Sequence, residues 1–173
     1  LRGMGVQAGD RVVAYMPNCP ETLVALLAVA SIGAVWSACS PEFGTNSVLD
    51  RFSQIEPKVL LAVDGYRYGG KAFDRLSVVS EIQAAIPSLE HTILVPHLNM
   101  QAELPNTHVW GAVLAASEPP TTLPFEQVPF DHSLWVVYSS GTTGLPKPIV
   151  QGHGGILLEH VKATAFHNDL KVG

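Results

Sequence analysis

Residues 134–147 read Leu-Trp-Val-Val-Tyr-Ser-Ser-Gly-Thr-Thr-Gly-Leu-Pro-Lys. The apolar first part, residues 134–138, predicts a strand, and a loop rich in glycine and hydroxyl groups follows it. Glycines let the backbone approach an anion closely and leave amide groups free to point at it. A strand that runs into such a loop and then a lysine therefore indicates a site that wraps a polyphosphate.

The candidate phosphate contacts are the hydroxyls, the glycines and the lysine of this loop: Ser139, Ser140, Gly141, Thr142, Thr143, Gly144 and Lys147. Hydroxyls donate hydrogen bonds to phosphate oxygens, and a lysine supplies a mobile point charge. A Walker A loop needs a hydroxyl residue directly after its lysine, to hold magnesium, whereas Pro148 stands there. A Walker-type NTPase is therefore disfavoured. A flexible surface turn that ends in a solvated lysine is the alternative.

Along the rest of the chain, short β-rich runs alternate with helical periodicity. Strands are predicted at residues 12–16, 35–39, 59–63, 91–95 and 149–151, and helices at 20–33, 46–56 (capped by Thr45), 76–86, 109–116 and 156–167. This alternation predicts an α/β fold with a largely parallel sheet flanked by helices. The helix that begins at Pro20 is apolar nearly all round, which predicts a buried position between the sheet and neighbouring helices.

Composition excludes several classes of function. The net charge is −5, only 14% of residues are charged, and no basic run is present, so binding of nucleic acid by bulk electrostatics is not expected. The longest strongly apolar stretch, residues 23–30, is too short to span a bilayer. Cys19 and Cys39 are expected to be two reduced thiols in a cytoplasmic protein and not a disulfide.

The string at residues 139–147 resembles the phosphate-binding signature of the adenylate-forming superfamily, the acyl-CoA synthetases and their relatives. The resemblance extends to residues 5–12, 18–33 and 148–155. The residues that flank the loop most resemble the branch of this family that activates acetoacetate, and next the branch that activates acetate and propionate. The resemblance implies that residues 1–173 are a partial N-terminal AMP-binding domain, incomplete at both ends.

In that family a carboxylate attacks the α-phosphate of ATP, which gives an acyl-adenylate and pyrophosphate, and the thiolate of coenzyme A then displaces AMP. The resemblance implies a small carboxylic acid, ATP with Mg2+ and coenzyme A as substrates. The loop residues would enclose the β- and γ-phosphates, with Lys147 adding charge. Because the family's catalytic C-terminal lysine is not among these residues, we expect the piece alone to be inactive. The alternative is a non-catalytic nucleotide-binding module.

Arg67 lies in a glycine-rich basic stretch, residues 64–71, directly after an apolar run. The stretch resembles the segment in which family arginines contact the 3′-phosphate ADP portion of coenzyme A. Arg67 matches the first of those arginines, but Gly70 stands at the second position. Arg67 is therefore a candidate contact to coenzyme A, and an exposed basic turn is the alternative.

His153 stands where the family signature has a histidine after threonine. Two interpretations are open: a position near the acyl-adenylate, or a cap on the helix that starts at Gly154. His153, His160 and His167 are spaced by seven residues. Seven residues of helix rise about 10 Å, too far for two imidazoles to share one ion, so no metal site is predicted.

Overall fold

The computed structural model describes residues 1–116, 121–140 and 144–171. Its main feature is a seven-stranded sheet in the order β7-β6-β3-β1-β2-β8-β9. A separate two-stranded hairpin is formed by β4 and β5. The strands are β1 (Arg11–Tyr15), β2 (Val35–Cys39), β3 (Val59–Val63), β4 (Gly65–Tyr68), β5 (Lys71–Asp74), β6 (His91–Val95), β7 (His108–Val109), β8 (Ser133–Ser139) and β9 (Lys147–Gly152).

All neighbouring strands of the large sheet run parallel except the last pair, β8 and β9. The predicted α/β class with a largely parallel sheet is therefore confirmed. Parallel strands end at the same side of a sheet, so the chain leaves β1, β2, β3 and β8 along one side, which we call the carboxyl edge. The loop that follows β8 starts at this edge.

The helices cover both faces of the sheet. They are α1 (Pro20–Ser31), α2 (Thr45–Phe52), α3 (Leu76–Ala85), α4 (Trp110–Ala115) and α5 (His153–Lys162), with a short 3-10 helix at Arg2–Met4 and a π-helical segment at Ala163–His167. Residues of α1 and α4 pack on one face of the sheet, with Val12 and Ala14 of β1. Residues of α2 and α3 pack on the other face, with Val13 and Tyr15. Successive side chains of β1 thus supply two cores.

The helix α1 differs from its predicted burial. Ala25 and Val29 are buried against the sheet, but Leu23 and Leu27 are 57% and 60% exposed. Small residues let the helix approach the strands closely, and the leucines then point away from the sheet. There they line an open apolar groove that α5 also borders. The prediction that α1 is buried all round is therefore wrong for this structure.

The start and the end of α2 also differ from the prediction. The helix begins at Thr45, is preceded by Gly44 as its N-cap, and ends at Phe52 instead of continuing to residue 56. The Thr45 hydroxyl does not cap the helix, because it donates to the Glu81 carboxylate of α3. Thr45 therefore joins two helices on the same face of the sheet.

The stretch predicted as a simple turn contains the hairpin β4–β5. Gly69 and Gly70 link its strands with φ angles of 55° and 77°. Two central residues with positive φ are the requirement of a type I′ turn, which suits the twist of a two-stranded hairpin. The Tyr66 and Phe73 rings stack across the hairpin with centroids 5.2 Å apart. Arg67 thus sits on a defined strand.

Substituting Gly65 with alanine is expected to destabilise the protein by about 1–3 kcal/mol, because a methyl group there overlaps the Leu98 side chain and the Phe73 carbonyl oxygen. Gly111→Ala is the matched control: no atom lies near the added methyl, and alanine favours the helix α4. Urea denaturation should show a lower midpoint for the first variant only. Equal midpoints would contradict the close packing at Gly65.

Candidate nucleotide site

The two arms of the glycine-rich loop are joined by the β8–β9 ladder. Ser139, the last residue of β8, pairs in register with Lys147, the first residue of β9. Residues directly opposite in an antiparallel pair have Cβ atoms about 4.5–5.5 Å apart and share one face. Both residues are exposed. The structure thus brings a hydroxyl and an ammonium group together where the loop begins and ends.

The other candidate phosphate contacts lie between these two positions. Ser140 follows β8 and is exposed. Gly144 has a φ of 107°, a backbone conformation that favours glycine, and is exposed as well. Gly141, Thr142 and Thr143 lie outside the described residues. The described part of this site therefore consists of the two arms of the loop.

A cavity of about 550 Å³ opens at the carboxyl edge of the sheet. In the sheet, β2 lies on one side of β1 and β3 lies on the other side, so the strand order reverses at β1. Ligands of open α/β sheets bind in the crevice formed at such a reversal of strand order. The cavity is lined by residues that follow β1, β2 and β3 and by the loop after β6: Met16, Pro17, Asn18, Thr22, Ala38, Cys39, Ser40, Pro41, Glu42, Tyr66, Arg67, His97 and Leu98.

Arg67 lines this cavity. It is exposed on β4, opposite Ala72 of β5. Glu42 also lines the cavity, so the lining contains both an acidic and a basic side chain. Burial raises the pKa of the Cys39 thiol to about 11, and this cysteine is therefore a protonated thiol and a poor nucleophile near neutral pH. Cys19 and Cys39 are both free, as predicted.

Asp64 is a buried structural residue, bonded to His97 and Leu98 of the cavity lining, that the sequence interpretation did not single out. Its carboxylate is 2% exposed and accepts hydrogen bonds from the amides of His97 at 2.6 Å, Leu98 at 2.9 Å and Asn99 at 2.7 Å. One carboxylate thus ties the start of the β4–β5 hairpin to the loop after β6. The sequence signal for the role of Asp64 was a single carboxylate directly after the apolar run that forms β3. A carboxylate buried at such a position needs hydrogen-bond partners.

Comparison with known proteins agrees with this arrangement of sheet, loop and cavity. The profile of the AMP-binding enzyme family matches residues 1–172. The chain belongs to this family. The solved structure of acetoacetyl-CoA synthetase from Streptomyces lividans superposes with a TM-score of 0.93 at 54% identity, and covers 100% of this AMP-binding chain.

Two curated relatives in this family have the same name as the Streptomyces enzyme. Acetoacetyl-coenzyme A synthetase from Rhizobium meliloti is 49% identical over 100% of the chain, and acetoacetyl-CoA synthetase from Xenopus tropicalis is 42% identical over 96% of it. The chain spans about a quarter of the length of these proteins: 27% and 26% of the two relatives, and 26% of the Streptomyces chain.

His153 lies away from the glycine-rich loop of this family member. It directly follows β9, which starts at Lys147 and runs back toward the opposite edge of the sheet. A six-residue strand spans roughly 17–20 Å, so its full length separates the two residues. A position beside the acyl-adenylate stays a prediction, and this geometry argues against it. The cap interpretation is wrong, because Gly152 is the N-cap and makes His153 the first helical residue.

The environment of His153 predicts a dependence of stability on pH. Burial, and secondarily the neighbouring His132 ring 5.8 Å away, lower the pKa of His153 below its usual value near 6.5. The unfolded chain therefore binds a proton at higher pH than the folded chain does. The resulting stability is present above about pH 6.5 and is lost as the pH falls through the lowered pKa.

We expect His153→Gln to flatten this dependence. Urea midpoints of the original protein and the variant, compared at about pH 7.5 and pH 5.5, measure it. His167→Gln, a change at an exposed histidine, serves as the control and should keep the original slope. An unchanged slope in His153→Gln would show that this imidazole titrates alike in the folded and unfolded states.

A metal-binding cluster and a membrane-spanning helix are both absent among residues 1–116, 121–140 and 144–171. Within these ranges, no three histidine, cysteine, aspartate or glutamate side chains are grouped so that they could hold a metal ion. None of the helices described there combines the length and the apolar character that a membrane crossing requires.

Proposed function

We propose that the chain is part of a longer acid–thiol ligase that activates acetoacetate with ATP and transfers the acyl group to coenzyme A. The observation that carries the proposal is the pairing of Lys147 with Ser139 at the two ends of the loop. This pairing supports an arrangement in which a cation and a hydroxyl contact one phosphate chain from the same side. The names of the relatives favour acetoacetate as the acid.

The first step moves charge onto phosphate oxygens. A carboxylate oxygen of the acid bonds to the α-phosphorus of ATP, and the bond to the bridging oxygen breaks, so that pyrophosphate leaves. Ser139, Ser140 and Lys147, with Gly141, Thr142, Thr143 and Gly144, are proposed to hold the β- and γ-phosphates of magnesium–ATP. A fixed cation and oriented donors stabilise the charge that develops on the leaving pyrophosphate.

The second step needs coenzyme A. Its thiolate attacks the acyl carbon of the adenylate, and AMP leaves. Arg67 is proposed to contact a phosphate of the nucleotide portion of coenzyme A in the cavity at the carboxyl edge. A guanidinium recognises phosphate through paired hydrogen bonds. The protonated Cys39 thiol in the same cavity would compete poorly for the activated acyl group.

The test is carboxylate-dependent exchange of pyrophosphate into ATP by the longer protein, with acetoacetate, acetate, propionate and butyrate compared. Strong exchange with acetoacetate is the expected result. Preference for acetate or propionate would keep the reaction and overturn the substrate. If a folded protein that still binds ATP shows no exchange with any acid, the alternative function, a non-catalytic nucleotide-binding module, is favoured. The 173-residue chain alone is expected to show no exchange.

A further inference from the structure

The helix α2 contacts both arms of the glycine-rich loop. Tyr138 on the incoming arm donates a hydrogen bond to the main-chain carbonyl of Arg51, and Gln54, just beyond the helix, donates to the carbonyl of Pro146 on the outgoing arm. We infer that Arg51 and Gln54 form a brace that positions the loop for ATP. The inference rests on the proposed function, because it assigns these residues to the ATP site.

The incoming arm is held through both the backbone and the side chain of Arg51. The Tyr138 hydroxyl lies 2.8 Å from the Arg51 carbonyl oxygen. The Arg51 guanidinium lies 5.9 Å from the centre of the Tyr138 ring and 5.0 Å from that of Phe43, so it packs between the two aromatic rings. It also donates to the Ser47 carbonyl at 2.6 Å, within its own helix. The residue immediately before Ser139 is therefore fixed to α2.

The outgoing arm is held by one carboxamide. The Gln54 Nε2 donates to the Pro146 carbonyl at 2.9 Å and also to the carbonyl of Asp50 in α2. An amide nitrogen carries two hydrogens, so both bonds form together. Proline has no N–H, so the carbonyl is the main-chain group of Pro146 that can form a hydrogen bond. The residue immediately before Lys147 is therefore fixed to the same helix.

The two held residues precede the two residues that pair across the loop. Tyr138 and Pro146 set where Ser139 and Lys147 lie relative to α2, while the ladder sets where they lie relative to each other. Ends of a loop that are already held in place lose less conformational entropy when a ligand binds. Loss of the brace should consequently weaken the binding of ATP and leave the binding of the acid unchanged.

Gln54 is the residue of choice for the test because it is exposed, so its replacement should leave the fold intact. Gln54→Ala removes one hydrogen bond to the loop and is expected to raise the Kd and the KM for ATP by about three- to tenfold. Gln54→Glu places a carboxylate, which only accepts hydrogen bonds, against two carbonyl oxygens, and a larger increase is expected.

Gln83→Glu is the matched control. Gln83 is also a glutamine that donates to a distant main-chain carbonyl, that of Asn106, and its replacement changes the net charge by the same amount. The Kd of the Gln83→Glu variant for ATP should equal that of the original protein. Tyr138→Phe removes the other bond of the brace and should raise the Kd for ATP in the same direction as Gln54→Ala.

The measurements are calorimetric titration with magnesium–ATP and exchange kinetics with ATP and acid varied separately, on the longer protein. A raised Kd and KM for ATP with an unchanged KM for the acid and an unchanged urea midpoint support the brace. An ATP affinity of Gln54→Glu equal to that of Gln83→Glu overturns it. If the original protein binds no ATP, the proposed function itself fails, and the brace fails with it.

Discussion

Replacing Lys147 with alanine in the longer protein is expected to lower acid-dependent ATP–pyrophosphate exchange by about 100-fold or more. Lys147 is exposed at the start of β9 and stands opposite Ser139, so its ammonium group can reach a phosphate chain held by the loop. Removing one preorganised group that meets developing charge costs about 10²–10³ in rate. The rate of exchange with saturating acid, and its dependence on ATP, are the quantities to measure.

Two further substitutions make this result specific. Lys147→Arg keeps the charge and should retain more activity than alanine, although a guanidinium places its charge differently. Lys162→Ala removes an exposed lysine of α5 that pairs with Glu159, and exchange should be unchanged. If Lys147→Ala exchanges pyrophosphate at the wild-type rate, Lys147 does not belong to the ATP site. It would then be a solvated lysine of a surface loop.

Replacing Asp64 with alanine is expected to lower the free energy of unfolding by about 3 kcal/mol or more. The change leaves three main-chain amides, those of His97, Leu98 and Asn99, without their acceptor. A fully buried donor that loses its partner costs about 1–3 kcal/mol, and because these three bonds are only partly buried, the lower end of the sum is expected. Urea denaturation followed by circular dichroism measures the loss.

Asp64→Asn separates the charge from the shape of the side chain. One oxygen still accepts, but the amide nitrogen then faces a main-chain N–H, so an intermediate loss of stability is expected. Asp131→Ala, at an exposed aspartate, should leave the midpoint within about 0.5 kcal/mol of the original. Equal free energies of unfolding of Asp64→Ala and Asp131→Ala would mean that the turn after β6 does not need the Asp64 carboxylate for its stability.

The sequence predicted the elements whose pattern is set by their own burial. The continuous apolar run Val59–Val63 forms the interior strand β3, and residues 35–39 form β2 as expected. Both strands are buried by the sheet that surrounds them, so composition alone indicated them. The helical segment near Trp110 was also predicted, and Trp110 packs against the core.

Elements that depend on distant partners were missed. The edge strand β7 is only His108–Val109, too short to show a period, and the hairpin after β3 was hidden by its glycines. The contacts of Gln54 with Pro146 and of Tyr138 with Arg51 join positions 92 and 87 residues apart. No local pattern encodes such pairs, because they arise when β8 is added beside β2 and α2.

The register of Ser139 with Lys147 also constrains how this protein can diverge. Side chains alternate between the two faces of a strand, so a slip of one residue between β8 and β9 would turn every side chain of β9 to the opposite face. Lys147 would then point away from Ser139. A change in the length of the loop is therefore compatible with the site only where the ladder keeps this register. Members of the family that keep this lysine should keep its pairing with the last residue of the preceding strand.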